Sequence, residues 1–162
     1  MTSQYLRADL ERDEGKAKLD PATGNYLAYK DSRGFWTIYV GHNVSADPGM
    51  LSILDILVTR GITVAQGEAR LDRDIASVEA RLDKDLPWWR QLSDIRQDVM
   101  VNLAFNIGEG KMLLWKHTLG DIQAGRFVAA EIDLENDEPW ASQVHDRSKR
   151  MALQMETDQH QD

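Results

Sequence analysis

The feature that most constrains the fold is an apolar stripe in the middle of the chain. Leu71, Ile75, Val78 and Leu82 recur at i, i+4, i+7 and i+11, the period of one helix face. The segment Thr63-Val64-Ala65-Gln66 before it has the form of a capping box, in which the threonine and glutamine satisfy each other's backbone amides. Pro87 stops the pattern just past Asp83. The spacing therefore predicts one long helix over 63–84, able to join two lobes of different character.

The flanks differ in kind. Upstream, Leu6 and Leu10 with Glu14 predict a short first helix, capped by Thr2 or Ser3 and stopped at Gly15, a residue suited to the left-handed C′ position. The segment Asp20–Asn25 is turn chemistry throughout, and Tyr26–Lys30 and Phe35–Val40 read as two antiparallel strands around the turn Asp31-Ser32-Arg33-Gly34. Gly41–Pro48 reads as loop and Met50–Thr59 as a short helix. Downstream, Ser93 caps an apolar helix through Ile95, Val99, Leu103 and Phe105 that stops at Gly108 and Gly110. Short helices follow to Met155, broken at Gly120, Gly125 and Pro139 and anchored by Trp115, Leu119, Ile122, Phe127, Ile132 and Trp140. The fold class is α+β, mostly helical: one domain over 1–162, with a small hairpin lobe at 17–62, a connecting helix at 63–84 and a helical lobe from 1–16 plus 85–162. Clefts form between such lobes.

Composition narrows the function. A chain of 162 residues buries enough surface to need no disulfide or metal staple. Nineteen basic against 27 acidic residues give a net charge of −8, which repels nucleic acid and anionic membrane surfaces. The absence of cysteine excludes disulfides and thiol catalysis. The N-terminal segment has no apolar h-region and Met50–Val58 is too short to span a bilayer, so synthesis in the cytoplasm without membrane insertion is expected.

Two carboxylates stand out by position. Glu14 sits at the C-terminal end of the first helix, where the negative end of the macrodipole lies. Asp31 occupies position i of a type I turn, with Gly34 at i+3, a place an aspartate takes for its local hydrogen bonds alone. In the return strand, alternation puts Thr37 on one face with Phe35 and Tyr39, and Trp36, Ile38 and Val40 on the other. Paired carboxylates on different elements suit glycoside hydrolysis, in which one protonates the leaving oxygen and the other activates water or attacks the sugar. A hydroxyl such as that of Thr37 can orient the water. His42 at the strand end wants an acid, and Asp74, on the apolar stripe between Leu71 and Val78, wants a cation; the two are expected to pair. Most of the five tryptophans read as core anchors, and of the adjacent Trp88 and Trp89 one is expected to be exposed.

The ordered set Asp13-Glu14-Gly15, Tyr29-Lys30-Asp31-Ser32-x-Gly34-x-x-Thr37-Ile38-x-x-Gly41-His42 and Asn102-Leu103-Ala104-Phe105-Asn106-Ile107-Gly108, continuing to Trp140 and Arg147-Ser148-Lys149-Arg150, resembles the phage-type lysozyme (endolysin) family, glycoside hydrolase family 24. The resemblance implies a two-lobed lysozyme-like fold and cleavage of the β-1,4 bond between N-acetylmuramic acid and N-acetylglucosamine in peptidoglycan. It implies Glu14 as general acid, Asp31 as second carboxylate and Thr37 as the water-placing residue, with inversion at the anomeric carbon. It further implies Arg147 as an arginine pairing with the acid across the cleft, and His117, Thr118 and Asn106 as glycan or peptide contacts, Asn106 reading equally well as a helix C-cap. No metal or cofactor is implied. Relatives commonly carry glycine where this chain has Tyr39, which could stack on a sugar or narrow the cleft, and the Asp20–Asn25 connection is longer than usual.

The expectation is a monomeric muramidase endolysin that reaches the wall in the periplasm once a holin opens the inner membrane, causing host cell lysis. The alternatives are a non-catalytic glycan-binding or structural relative, and a lytic transglycosylase, which needs one acid/base and no attacking water.

Overall fold

A computed structural model describes residues 3–15, 18–136 and 140–161; the Thr2 cap and the Pro139 break predicted from sequence lie outside them. The chain forms two compact units, Arg7–Ala76 and Ser77–Asp162 together with Met1–Leu6. The architecture is mostly helical with one small antiparallel sheet, the α+β class expected.

In the unit Arg7–Ala76, helix α1 (Leu6–Glu14) buries Leu10 and ends at Gly15, whose φ of +76° is the left-handed conformation the sequence assigns to it. Ahead of α1, the Ser3 hydroxyl accepts from the Tyr5 amide. The 20–25 turn closes on Asp20, which accepts from the Ala22 amide at 3.1 Å and the Thr23 hydroxyl at 2.6 Å. The sheet order is β1 (Tyr29–Lys30), β2 (Trp36–Ile38), β3 (His42–Asn43), with Tyr29 opposite Thr37 and Thr37 opposite Asn43.

The strands are shorter than the alternation predicts, and there is a third. Tyr26 makes only isolated bridges, to Leu19 and Ile62. At the far end Tyr39 takes a φ of +54°, which turns the chain at 39–41 and returns it as β3 where a loop was expected. A 3-10 turn (Val44–Ala46) and helices α2 (Pro48–Leu51) and α3 (Leu54–Thr59) follow. Asp47 caps α2 through the Met50 amide at 3.1 Å and Pro48 opens it; the chain leaves the helix at Ser52–Ile53, so the single helix expected over 50–59 is two.

Helix α4 (Val64–Asp85) is the long helix of the central stripe. Its capping box forms as read: Thr63 donates its amide to Gln66 Oε1 at 2.9 Å, and the Gln66 amide donates to Thr63 Oγ1 at 3.2 Å. Leu71, Val78 and Leu82 are buried and Ile75 half-buried.

In the other unit, a 3-10 turn (Pro87–Gln91) buries Trp89 and leaves Trp88 half-buried. Helix α5 (Asp94–Ile107), capped by Ser93, is buried continuously from Gln97 to Ala104 and packs on α10 (Asp146–Thr157). Around them lie α6 (Glu109–Met112), α7 (Lys116–Gln123), α8 (Phe127–Asn136) and α9 (Trp140–Val144). Gly108 and Gly125 end α5 and α7 at positive φ. Gly110 and Gly120, predicted as breaks, lie inside helices instead. Ile132, predicted as an anchor, is exposed; Ala130 and Leu134 carry the burial of α8. Among the described residues no helix is long and apolar enough to cross a membrane.

Candidate active site

Glu14 is the last residue of α1 and half-buried. Gly41, at a φ of +66°, lies against it: a Cβ there would sit 3.4 Å from Glu14 Oε2 and 3.7 Å from its Cβ and Cγ. The glycine of the Gly-His pair thus gives the β2–β3 turn close approach to the carboxylate side chain.

Asp31 follows β1 and is fixed by the turn it nucleates. Its Oδ1 accepts from the Arg33 and Phe35 amides, both at 2.9 Å, while the Asp31 carbonyl accepts from the Gly34 amide at 2.9 Å. Among the described residues, Oδ2 has only the Arg33 guanidinium for company, 3.9 Å away. One oxygen thus holds the half-buried carboxylate in place through its own turn.

Tyr29 ties the two acids together. Its phenol is pushed above the ordinary tyrosine range, first by partial burial and then by the charges of Asp31 and Glu14, so one side chain lies in the field of both carboxylates. Across the sheet Thr37 is its register partner, and directly opposed residues project from the same face. The Thr37 hydroxyl, on a side chain buried but for 5%, donates to the Phe35 carbonyl at 3.3 Å. Tyr29 thus feels the charge of Glu14 and Asp31 and stands opposite Thr37 in the sheet, all within the one unit. Sequence reasoning assigned Tyr29 and Gly41 no role; the alternation Tyr29-x-Asp31, with Thr37 opposite, was the signal for the first.

Tyr39 does not join them as a sugar platform. It is 1% exposed and its ring edge packs on Tyr26, centroids 4.8 Å apart, so no ring face is presented to a ligand. The positive φ removes it from the strand alternation that placed it beside Thr37.

His42 and Asp74 pair as the sequence reading expects. Nδ1 of His42 lies 2.8 Å from Asp74 Oδ2, and Nε2 lies 3.3 Å from Asp47, which also meets Arg70 at 3.2 Å. The Asp47 carboxyl is held below its usual range by the Met50 amide, then by Arg70 and His42.

The remaining predicted contacts belong to the other unit. His117 is exposed, 84% for its side chain, and Nδ1 lies 2.9 Å from Asp133. That hydrogen bond, then the charges of Asp133 and Asp121, raise its pKa above the ordinary histidine value. His117 and Asp133 line an open pocket of about 450 Å³ with Trp115, Lys116 and Asn136; Thr118 also lines it but is only 5% exposed, which leaves little of it to offer a ligand. The His117, Asp121 and Asp133 donors cluster within 4.8 Å, yet the Arg126 guanidinium grips Asp121 with Nε at 2.8 Å. A metal would have to displace that cation, so the donors suit an ion-pair network.

Asn106 lies within α5, and its Oδ1 accepts from Trp140 Nε1 at 2.8 Å, a tertiary tie where a helix cap was the other reading. Arg147 is buried, with Nε and Nη2 donating to Asn102 Oδ1 at 3.0 and 2.6 Å. Asn102, another residue of the quoted motifs, holds the Arg147 guanidinium, a contact that emerges only from the geometry.

A sequence profile described as phage lysozyme matches residues 23–147, which takes in the turn of Asp31, the Gly-His pair and the chain as far as Arg147. The chain belongs to the phage lysozyme family. It is also similar to a probable T4-type lysozyme 1 of Dictyostelium discoideum, 27% identical over 165 residues that cover 91% of each chain. Membership places the chain among lysozyme-type glycosidases.

Proposed function

We propose that the protein is a muramidase that hydrolyses the β-1,4 bond between N-acetylmuramic acid and N-acetylglucosamine in peptidoglycan. The observation that carries this reading is that the family's two carboxylates stand on separate elements of one unit, Glu14 at the end of α1 against Gly41 and Asp31 fixed in its turn. Glu14 protonates the glycosidic oxygen as it leaves. Asp31, anchored through Oδ1, uses Oδ2 to take the proton of a water that attacks the anomeric carbon, and Thr37 places that water. Such single displacement inverts the anomeric centre and requires carboxylates roughly 6.5–9.5 Å apart, leaving room for the water. Of the other predicted contacts, His117 is the one left exposed to meet glycan or peptide groups. No metal or cofactor enters the scheme.

On this reading the enzyme is a monomeric, bacteriolytic endolysin. It acts on peptidoglycan in the periplasm after a holin opens the inner membrane, and host cell lysis follows. Family membership supports the substrate class.

The test is turbidity loss of permeabilised Gram-negative cell walls, with Glu14→Gln and Asp31→Asn beside the parent. Each variant is expected to fold normally and lose about 10²–10⁴-fold in rate, the usual share of a general acid or base. Undiminished lysis by either would contradict its role.

A further inference from the structure

Tyr39 occupies a backbone conformation that suits its side chain poorly. A φ of +54° is favoured by glycine and uncommon for a large aromatic residue, and such conformations persist where the surroundings over-determine them. Three elements do so here. A Cβ on Gly67 of α4 would come within 2.5 Å of Tyr39 Cδ2 and 2.6 Å of Cε2, so the helix keeps its one bare position where the ring rests. Tyr26 meets the ring edge-on, and the hydroxyl donates to Glu11 Oε1 at 3.4 Å. Glu11 is one turn ahead of Glu14 on α1. Two residues before Tyr39 stands Thr37, and two after it stands Gly41, the residue against Glu14.

We propose that Tyr39 is a positioning residue for the hydrolytic site: with its ring seated on Gly67 and against Tyr26, it fixes the turn that holds Gly41 against Glu14 and Thr37 opposite Tyr29. The inference rests on the reading of Glu14 and Thr37 given above. It assigns Tyr39 no contact with substrate. A glycine at 39 would relieve the backbone and release the clamp together, whereas phenylalanine would keep the ring in its seat.

The experiment measures kcat and KM on purified peptidoglycan, per folded molecule, for the parent, Tyr39→Gly, Tyr39→Phe, Gly67→Ala and the double variant Tyr39→Gly with Gly67→Ala. Misplacement of catalytic groups by about an ångström costs up to about 10²-fold. Tyr39→Gly is expected to lose about 10-fold or more in kcat with KM within about twofold, and Tyr39→Phe to stay within about threefold of the parent. Gly67→Ala is expected to lose kcat when Tyr39 is present and nothing further when it is absent, since contacting residues couple non-additively. Should Tyr39→Gly not fold, Tyr39→Asn, which also tolerates positive φ, is judged by the same criteria. Parental kcat in the glycine variant, or a Gly67→Ala loss independent of Tyr39, would overturn the proposal. A parent that leaves peptidoglycan intact would instead overturn the muramidase reading.

Discussion

Asp31 and Asp47 show how one residue type does two jobs by the same local device. Each bonds backbone amides two to four residues ahead, Asp31 in a turn and Asp47 at the start of α2. Among the described residues Asp31 Oδ2 meets only the Arg33 guanidinium, at 3.9 Å, whereas Asp47 spends its own on Arg70 and His42. Because the folded-state pKa of Asp47 is depressed, its contribution is present above the unfolded value of about 3.9 and is lost as pH falls through the lower folded value. Asp47→Ala is therefore expected to lower stability by about 1 kcal/mol at pH 7, the usual worth of such a cap. In thermal melts the gap should narrow below about pH 4; a gap that is constant down to pH 3 would show that the carboxylate's charge contributes nothing. Glu14 and Asp31 were legible as residues because one ends a helix pattern and the other opens a turn. Tyr39 was misread for a physical reason: alternation holds only while the backbone stays extended, and one positive φ cancels it.

At the scale of elements, long periodic segments were read well and short ones poorly. The stripe of α4 and its capping box are local patterns, each satisfied within a few residues, so sequence suffices to place them. The stripe makes a stability prediction. Leu82 is fully buried, and Leu82→Ala should cost about 2–5 kcal/mol by the loss of packing and the cavity left behind, measured by urea unfolding. A cost below about 1 kcal/mol would mean that this face is not core. The third strand depends on a tertiary choice, the seating of Tyr39 on Gly67, which periodicity does not encode. Gly120 shows the converse error, since a glycine is a helix stop only where the chain needs the left-handed conformation.

For the whole molecule, composition excluded classes and named none. A net charge of −8 disfavours nucleic acid but also long-range approach to an anionic wall, so specificity has to come from the site. What the order of motifs along the chain made legible was the family, because Glu14, the Asp31 turn, Thr37 and Gly41 are fixed in sequence by one small unit. That Tyr29 lies in the field of both acids required the fold. The central claim is that this unit carries out hydrolysis, with water as the nucleophile. The most direct measurement is digestion of purified peptidoglycan in ¹⁸O-labelled water followed by mass spectrometry of the fragments. The account predicts reducing-end N-acetylmuramic acid carrying one ¹⁸O per cleavage, and no such product from Glu14→Gln. Unlabelled 1,6-anhydro ends, or labelled ends released equally by the Glu14 variant, would contradict it.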